Sequence, residues 1–232
     1  MKKLVFAAVL SLIFLSSCNF SKSYKIYGAF DIPMELNLGD TIIERDLFDG
    51  GYVYMLELDG TPIDSALIED EKFVFEGKIK EKDACFVYVA NEFAQGIVAL
   101  EPGEINITIE QGLFAYGTPT NDAINDVDAR IDELAQDFSD KVMALSEDNA
   151  NPSDSILMPI YNDFNAKCEL LLDSLYEANK NTLAGIYIVN IKTSSAQTLE
   201  ELEEMLKDYD DYVTKSPVMR ARRQYLYEAA NR

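Results

Sequence analysis

Between Tyr24 and about Gly117 the chain is built of short runs in which apolar residues fall on alternate positions. KIYGAF, GYVYMLEL, KFVFEGKI, CFVYVAN, GIVAL and INITIE are rich in Val, Ile, Tyr and Phe. In KFVFEGKI, Phe73 and Phe75 share one face while Val74 and Glu76 share the other, the period of a half-buried strand. Turn formers punctuate the runs at Asp49-Gly50-Gly51, Asp59-Gly60, Glu69-Asp70-Glu71 and Pro102-Gly103. Many short strands at such spacing predict a β-sandwich-like antiparallel domain over residues 24–117.

From Thr118 the period lengthens. Ile124, Val127, Ile131, Leu134, Phe138, Val142 and Leu145 recur at steps of three and four, an amphipathic helix. NANPSDS breaks it. Ile160, Phe164, Cys168, Leu171 and Leu175 mark a second helix, with Pro159 expected in its first turn, where a missing N–H does least harm. Thr198-Leu-Glu-Glu201 is a capping box that opens a third helix, and Ser216-Pro217 a cap with a first-turn proline. LAGIYIVNI fits a strand or a buried helix equally well. The fold class expected is therefore α+β: a sandwich-like domain, a seam at GTPT near residues 116–120, and a helical domain over 118–232.

The N-terminus changes the picture of where this fold sits. Met1-Lys2-Lys3 precedes an apolar run from Leu4 to Leu15, too short to span a bilayer but suited to a secretory signal. Ser16, Ser17 and Cys18 follow, and LSSC resembles the lipobox of bacterial lipoproteins. That resemblance implies a signal peptide over 1–17, cleavage before Cys18, lipidation of Cys18 and a tether over 18–23. Two or more acyl chains give stable anchoring where one does not. Asn19 in place of an acidic residue, and the lack of an acidic run in NFSKSY, favour the periplasmic face of the outer membrane in a Gram-negative cell envelope.

The net charge is −21, and loss of Lys2 and Lys3 would take it to −23. Such a surface repels nucleic acid and anionic headgroups, so the lipid anchor is the expected link to the membrane and nucleic acid is not an expected partner. Cys85 alternates in a strand pattern and Cys168 lies on a helix's apolar face. Both are read as small buried hydrophobes, with a Cys85–Cys168 bridge the less favoured alternative.

The chain has no histidine, which removes Ser-His-Asp and Cys-His catalysis, zinc proteases and most transition-metal sites. It has no phosphate-binding glycine loop and no C-x-x-C. Paired carboxylates survive as a hydrolase option, and calcium as a ligand for Asp208, Asp210 and Asp211 or for Glu69-Asp70-Glu71. Neither acidic group has a calcium-loop spacing, and they read better as a solvated helix end and a hairpin turn. Asp64-Ser65 lacks a base and reads as strand punctuation. Arg220, Arg222 and Arg223, the one basic cluster, read as complementing and solvating a helix C-terminal half before they read as a dock for an acidic partner. Tyr52, Tyr54, Phe73, Phe75, Phe86 and Tyr88 read as sandwich core before they read as a ligand groove. No catalytic residue, cofactor or metal site is assigned.

Several stretches taken together resemble one family. YKIYGAF, DGGYVYML, PIDSALIEDEKFVFEGKI, LEPGEINITI and GTPTND resemble the domain of unknown function at the N-terminus of thiol:disulfide interchange lipoproteins of the thioredoxin-like, AhpC/TSA type. NKNTLAGIYIVN and TLEELEEML…SPVMRARRQYL resemble the helical spacer that follows it. Residues 32–46, IPMELNLGDTIIERD, are extra to that pattern. The resemblance implies the N-terminal module and spacer without the thioredoxin-fold domain. The function expected is a lipid-anchored, non-catalytic binding or adaptor module with a protein partner or small ligand in the envelope. The alternatives are a redox accessory to a separate thioredoxin-fold protein and a carboxylate-based hydrolase.

Overall fold

The computed structural model describes residues 23–31, 35–38, 41–44, 48–79, 85–90, 94–110, 112–148 and 153–231. Cys18 lies outside them. The side chains of Cys85, Phe86 and Tyr88 also lie outside what is described.

Among the described residues ten strands come first: β1 Ser23–Phe30, β2 Glu35–Leu38, β3 Thr41–Glu44, β4 Tyr52–Leu56, β5 Pro62–Leu67, β6 Lys72–Lys78, β7 Cys85–Ala90, β8 Gln95–Leu100, β9 Gly103–Ile109 and β10 Leu113–Tyr116. One sheet has the order β10-β9-β1-β6 and a second the order β5-β4-β7-β8, while β2 and β3 form a two-stranded sheet. The two four-stranded sheets share one core. Ile26, Phe75, Ile105 and Ile107 from the first sheet meet Val53, Met55, Val89 and Val98 from the second. Each such side chain contributes roughly 1.5–3 kcal/mol by leaving water.

One pairing departs from the antiparallel expectation. β1 and β9 run parallel, with Ile26 beside Ile105 and Phe30 beside Ile109. The long excursion between them, which builds the whole second sheet, makes a parallel return possible. Between β1 and β6 a different device operates. Gly28 faces Phe73 and Gly77 faces Tyr24. A Cβ on Gly28 would fall 1.9 Å from the Phe73 ring, so the ring occupies the space a side chain would need. β5 and β6 belong to different sheets although a two-residue turn joins them. Its residues Asp70 and Glu71 both have positive φ, 49° and 61°. That turn type favours Asn or Gly, and here Asp49 Oδ1 holds it by accepting from Glu71 N at 2.9 Å.

Six helices follow among the described residues: α1 Pro119–Asp148, α2 Asp154–Asn179, α3 Leu183–Lys192, α4 Leu199–Leu206, α5 Asp211–Thr214 and α6 Pro217–Ala230. LAGIYIVNI is thus a buried helix. Its short connection from α2 and the Thr182 cap, whose Oγ1 accepts from Gly185 N, decide what periodicity left open. The capping box at Thr198 and Glu201 forms as expected, and Ser216 caps α6 ahead of Pro217. Pro159 lies inside α2 rather than in its first turn, because α2 already starts at Asp154 behind Ser153.

α1 is sewn to the sandwich through its first turns. The Asn121 side chain is buried, accepts from Ala99 N at 2.9 Å and donates to Ala99 O at 2.9 Å. Ala99 lies on β8, the outer strand of its sheet, so one amide side chain does for that edge what a neighbouring strand would do. Glu101 accepts from Thr120 N and Thr120 Oγ1, and Asn125 donates to Ala115 O. A second core then gathers Val127, Leu175, Ile188, Leu202, Leu206 and Met219, with Ala99 reaching in from the sheet.

Candidate functional site

α2 and α3 are antiparallel neighbours joined by a short turn, and the α4–α5 connection folds back against both. The result is a cleft of about 870 Å³. A larger groove of about 1270 Å³ runs along α4, but α4 and the turn before it supply its whole lining. The first cleft has walls from several elements, as ligand sites usually do.

Tyr176 and Tyr209 form its aromatic part, with ring centroids 5.1 Å apart and planes at 84°. Lys192 forms an ion pair with Asp173 across the α2–α3 contact. Burial works against the Lys192 ammonium, but Asp173 and Tyr209 outweigh it and hold its pKa above the ordinary value. Lys180 Nζ lies 5.9 Å from the centre of the Tyr176 ring. Glu169, Glu177, Asp208 and Asp210 add carboxylates to the lining. A cleft with this excess of carboxylates beside an aromatic pair suits a cation with an apolar body.

Cys168 also lines the cleft. It carries a free thiol and is half-buried rather than fully buried, so the expectation of a sealed core cysteine does not hold. The reason is that Cys168 faces the open cleft rather than a packed neighbour. Burial pushes the thiol's pKa up, which lowers its thiolate fraction at neutral pH. Lys192 and Cys168 are therefore both held in their less nucleophilic forms.

A smaller cavity of about 180 Å³ lies where α1 and α3 meet β8 and β10. Tyr187 Oη donates to Asp128 there, 2.8 Å from Oδ1 and 3.0 Å from Oδ2. Burial raises the Asp128 pKa, Tyr187 partly offsets this, and nearby Asp132 adds to it. Burial and the same carboxylate push the Tyr187 phenol well above its ordinary value.

The other residues singled out by sequence have structural employment. Asp64 Oδ1 accepts from Ser65 N at 2.8 Å. Asp210 caps α5 by accepting from Val213 N, and Asp211 pairs with Lys215, so these two carboxylates serve a helix start rather than a helix end. Glu69-Asp70-Glu71 is the hairpin turn expected. No three carboxylate or cysteine side chains converge for a metal ion among the described residues. Phe73 and Phe75 are core, whereas Tyr52 and Tyr54 stand exposed on the outer face.

The arginine cluster does not solvate its own helix. Arg222 donates to Ser194 O and Ala196 O. Arg220 reaches Lys215 O. Arg223 grips Glu203 with two nitrogens and gives a third to Thr214 O. These carbonyls end α3 and α5 or the turns after them, where acceptors lack helical partners.

Sequence reasoning missed the cleft. Asp173 and Lys192 are 19 positions apart, and Asp128 and Tyr187 are 59 apart. No local motif links either pair, and only the antiparallel return of α3 brings them together.

Among the described residues no helix is long and apolar enough to cross a membrane. No curated protein and no solved structure matches the chain. Residues 41–124 match the model of a domain of unknown function, DUF4369, a span that runs from β3 through β10 into the first turns of α1.

Proposed function

We propose that this chain is a lipid-anchored, non-catalytic binding module of the bacterial cell envelope, and that the α2–α5 cleft is its recognition site for an organic cation such as a polyamine or a lysine-bearing peptide. The observation that carries the reading is the cleft itself: two tyrosine rings at right angles beside an excess of carboxylates. The DUF4369 match supports the first half of the family resemblance, and we assign the β region the part of the N-terminal module of thiol:disulfide interchange lipoproteins. Cys18 as the lipidated residue, after cleavage of residues 1–17, holds the module at the outer membrane facing the periplasm.

The chain has no tryptophan, so ring resonances of Tyr176 and Tyr209 are the direct reporters of occupancy. Titration with spermidine and with tetramethylammonium is expected to shift both saturably, with affinity falling as salt rises. Tyr209→Ala is expected to weaken binding about tenfold, the loss of one cation–π contact and its packing. Equal shifts in that variant, or a response to citrate instead, would sink the cleft assignment. The anchor is tested separately. Cys18→Ser is expected to abolish palmitate incorporation and release the protein from membranes.

One observation favours a second reading, a redox accessory to a separate thioredoxin-fold protein: the free Cys168 thiol faces the cleft. It requires that thiol to react in the folded protein. Alkylation at the rate of an unfolded control would support it, and labelling only after denaturation would remove it.

A further inference from the structure

The far half of the α1–α2 hairpin is an arm. α1 has 30 residues, about 45 Å of helix at ~1.5 Å per residue, yet its packing against the second core ends near Ile131. None of the side chains described between Ala129 and Leu171 is buried. The two helices touch each other through Phe138, whose ring lies 4.8 Å from Phe164 and 6.3 Å from Tyr161. Outside that seam Met143, Ile156, Met158 and Leu170 are exposed, Met143 by 62% and Leu170 by 70%, and Tyr161 at its edge is half exposed. Scattered apolar residues on a surface are ordinary. Five on one two-helix arm with no third layer make an incomplete bundle.

Charge says what completes it. Over residues 129–171 acidic residues outnumber basic ones nine to three. All three basic residues are spent inside the hairpin: Arg130 on Asp126, Lys141 on Asp137 and Lys167 on Asp163. A second copy of the chain would bring the same acidic excess against it, and an anionic membrane surface would repel it. We propose that the arm docks a basic amphipathic helix of a protein partner, whose apolar stripe covers Met143, Met158 and Tyr161 while its lysines or arginines face the unneutralised carboxylates. Methionine suits such a surface because its unbranched side chain adapts to the facing one.

The proposal is independent of the cleft, and its test reads a different place. The probe is a three-heptad Leu/Lys amphipathic peptide, titrated into the folded protein with methyl-labelled methionines. Saturable one-to-one binding is expected, with shifts at Met143 and Met158 and affinity that falls with salt. The double variant Met143→Ser, Met158→Ser changes exposed positions only. It is expected to fold as the parent does and to bind about tenfold more weakly. Three outcomes would overturn the proposal: equal binding of a scrambled peptide of the same composition, unchanged affinity in the double variant, or concentration-dependent self-association removed by the same substitutions. The last would make the occupant a second copy of this chain.

Discussion

The sandwich and the helical arm use apolar patterns of similar regularity and reach opposite degrees of burial. In β6, Phe73 and Phe75 alternate with Val74 and Glu76, and both rings are 2% exposed or less. In α1, Ile131, Leu134, Phe138, Val142 and Leu145 keep an equally regular step, and not one of them is buried. The pattern dictates which face of an element turns inward. It does not dictate whether a second layer is there to cover that face. The sandwich supplies its own second layer because β5 and β6 carry the chain from one sheet to the other. The arm supplies only one helix for another, and two cylinders in contact leave most of each surface open.

The sharpest way to break this comparison is to cut the same ring from both regions. Phe75→Ala should lower unfolding free energy by about 3–5 kcal/mol, since a large cavity opens between two sheets that cannot collapse onto it. Phe138→Ala should cost about 1 kcal/mol or less, because its ring is already half in water and the arm can readjust. Chemical denaturation of the two variants decides it. Equal losses would mean that the arm is as much core as the sandwich. Between these extremes stands Asn121→Ala, at the seam. It strips hydrogen bonds from the N–H and C=O of Ala99, both buried, and about 2–4 kcal/mol is expected from two unsatisfied groups. A loss below that of Phe138→Ala would show that the edge of β8 finds other partners.

A subtler test needs no substitution. Amide exchange in α1 should divide near Ile131. Residues before it should exchange only with global unfolding. Residues 134–145 should exchange through local opening, and much faster. Uniform protection along α1 would refute the distinction between base and arm.

The fold was largely legible because its main signals are local. Phe73 and Phe75 announce a strand by themselves, and Thr198 with Glu201 announces a helix start. β10 and β5 escaped as separate strands for the opposite reason. LFAY is four residues long, and PIDSAL carries a proline and two polar residues that only its pairing with β4 makes regular. The parallel β1–β9 pair was likewise invisible, since its partners are joined through nearly the whole β region. The candidate site was not legible. Tyr176 and Tyr209 meet only because the α4–α5 connection returns to α2, and neither sits in a motif. Cys168 shows the same limit: its helical position is set by local pattern, but its burial depends on the cleft that distant elements leave open beside it.

The smallest expected effect lies where the two regions join. Asp128 is on α1 at the base of the arm, takes the Tyr187 hydroxyl, and has a pKa raised above its ordinary 3.8, burial being the largest cause. The folded state therefore binds this proton more tightly than the unfolded state does. Stability from this group falls as pH rises through the raised folded pKa and is recovered as pH drops toward 3.8. Asp128→Asn keeps an acceptor for Tyr187 and removes the buried charge. Its stability should match the parent's near pH 4 and exceed it by a few tenths of a kcal/mol to about 1 kcal/mol at pH 7. The parent's curve minus the variant's should slope downward across that window. Asp128→Ala, which strands the phenol, should be less stable than both at every pH. If Asp128→Asn is instead destabilised most at neutral pH, the carboxylate is stabilising as a charge. The base of the arm would then be held by electrostatics rather than by the packing that holds the sandwich.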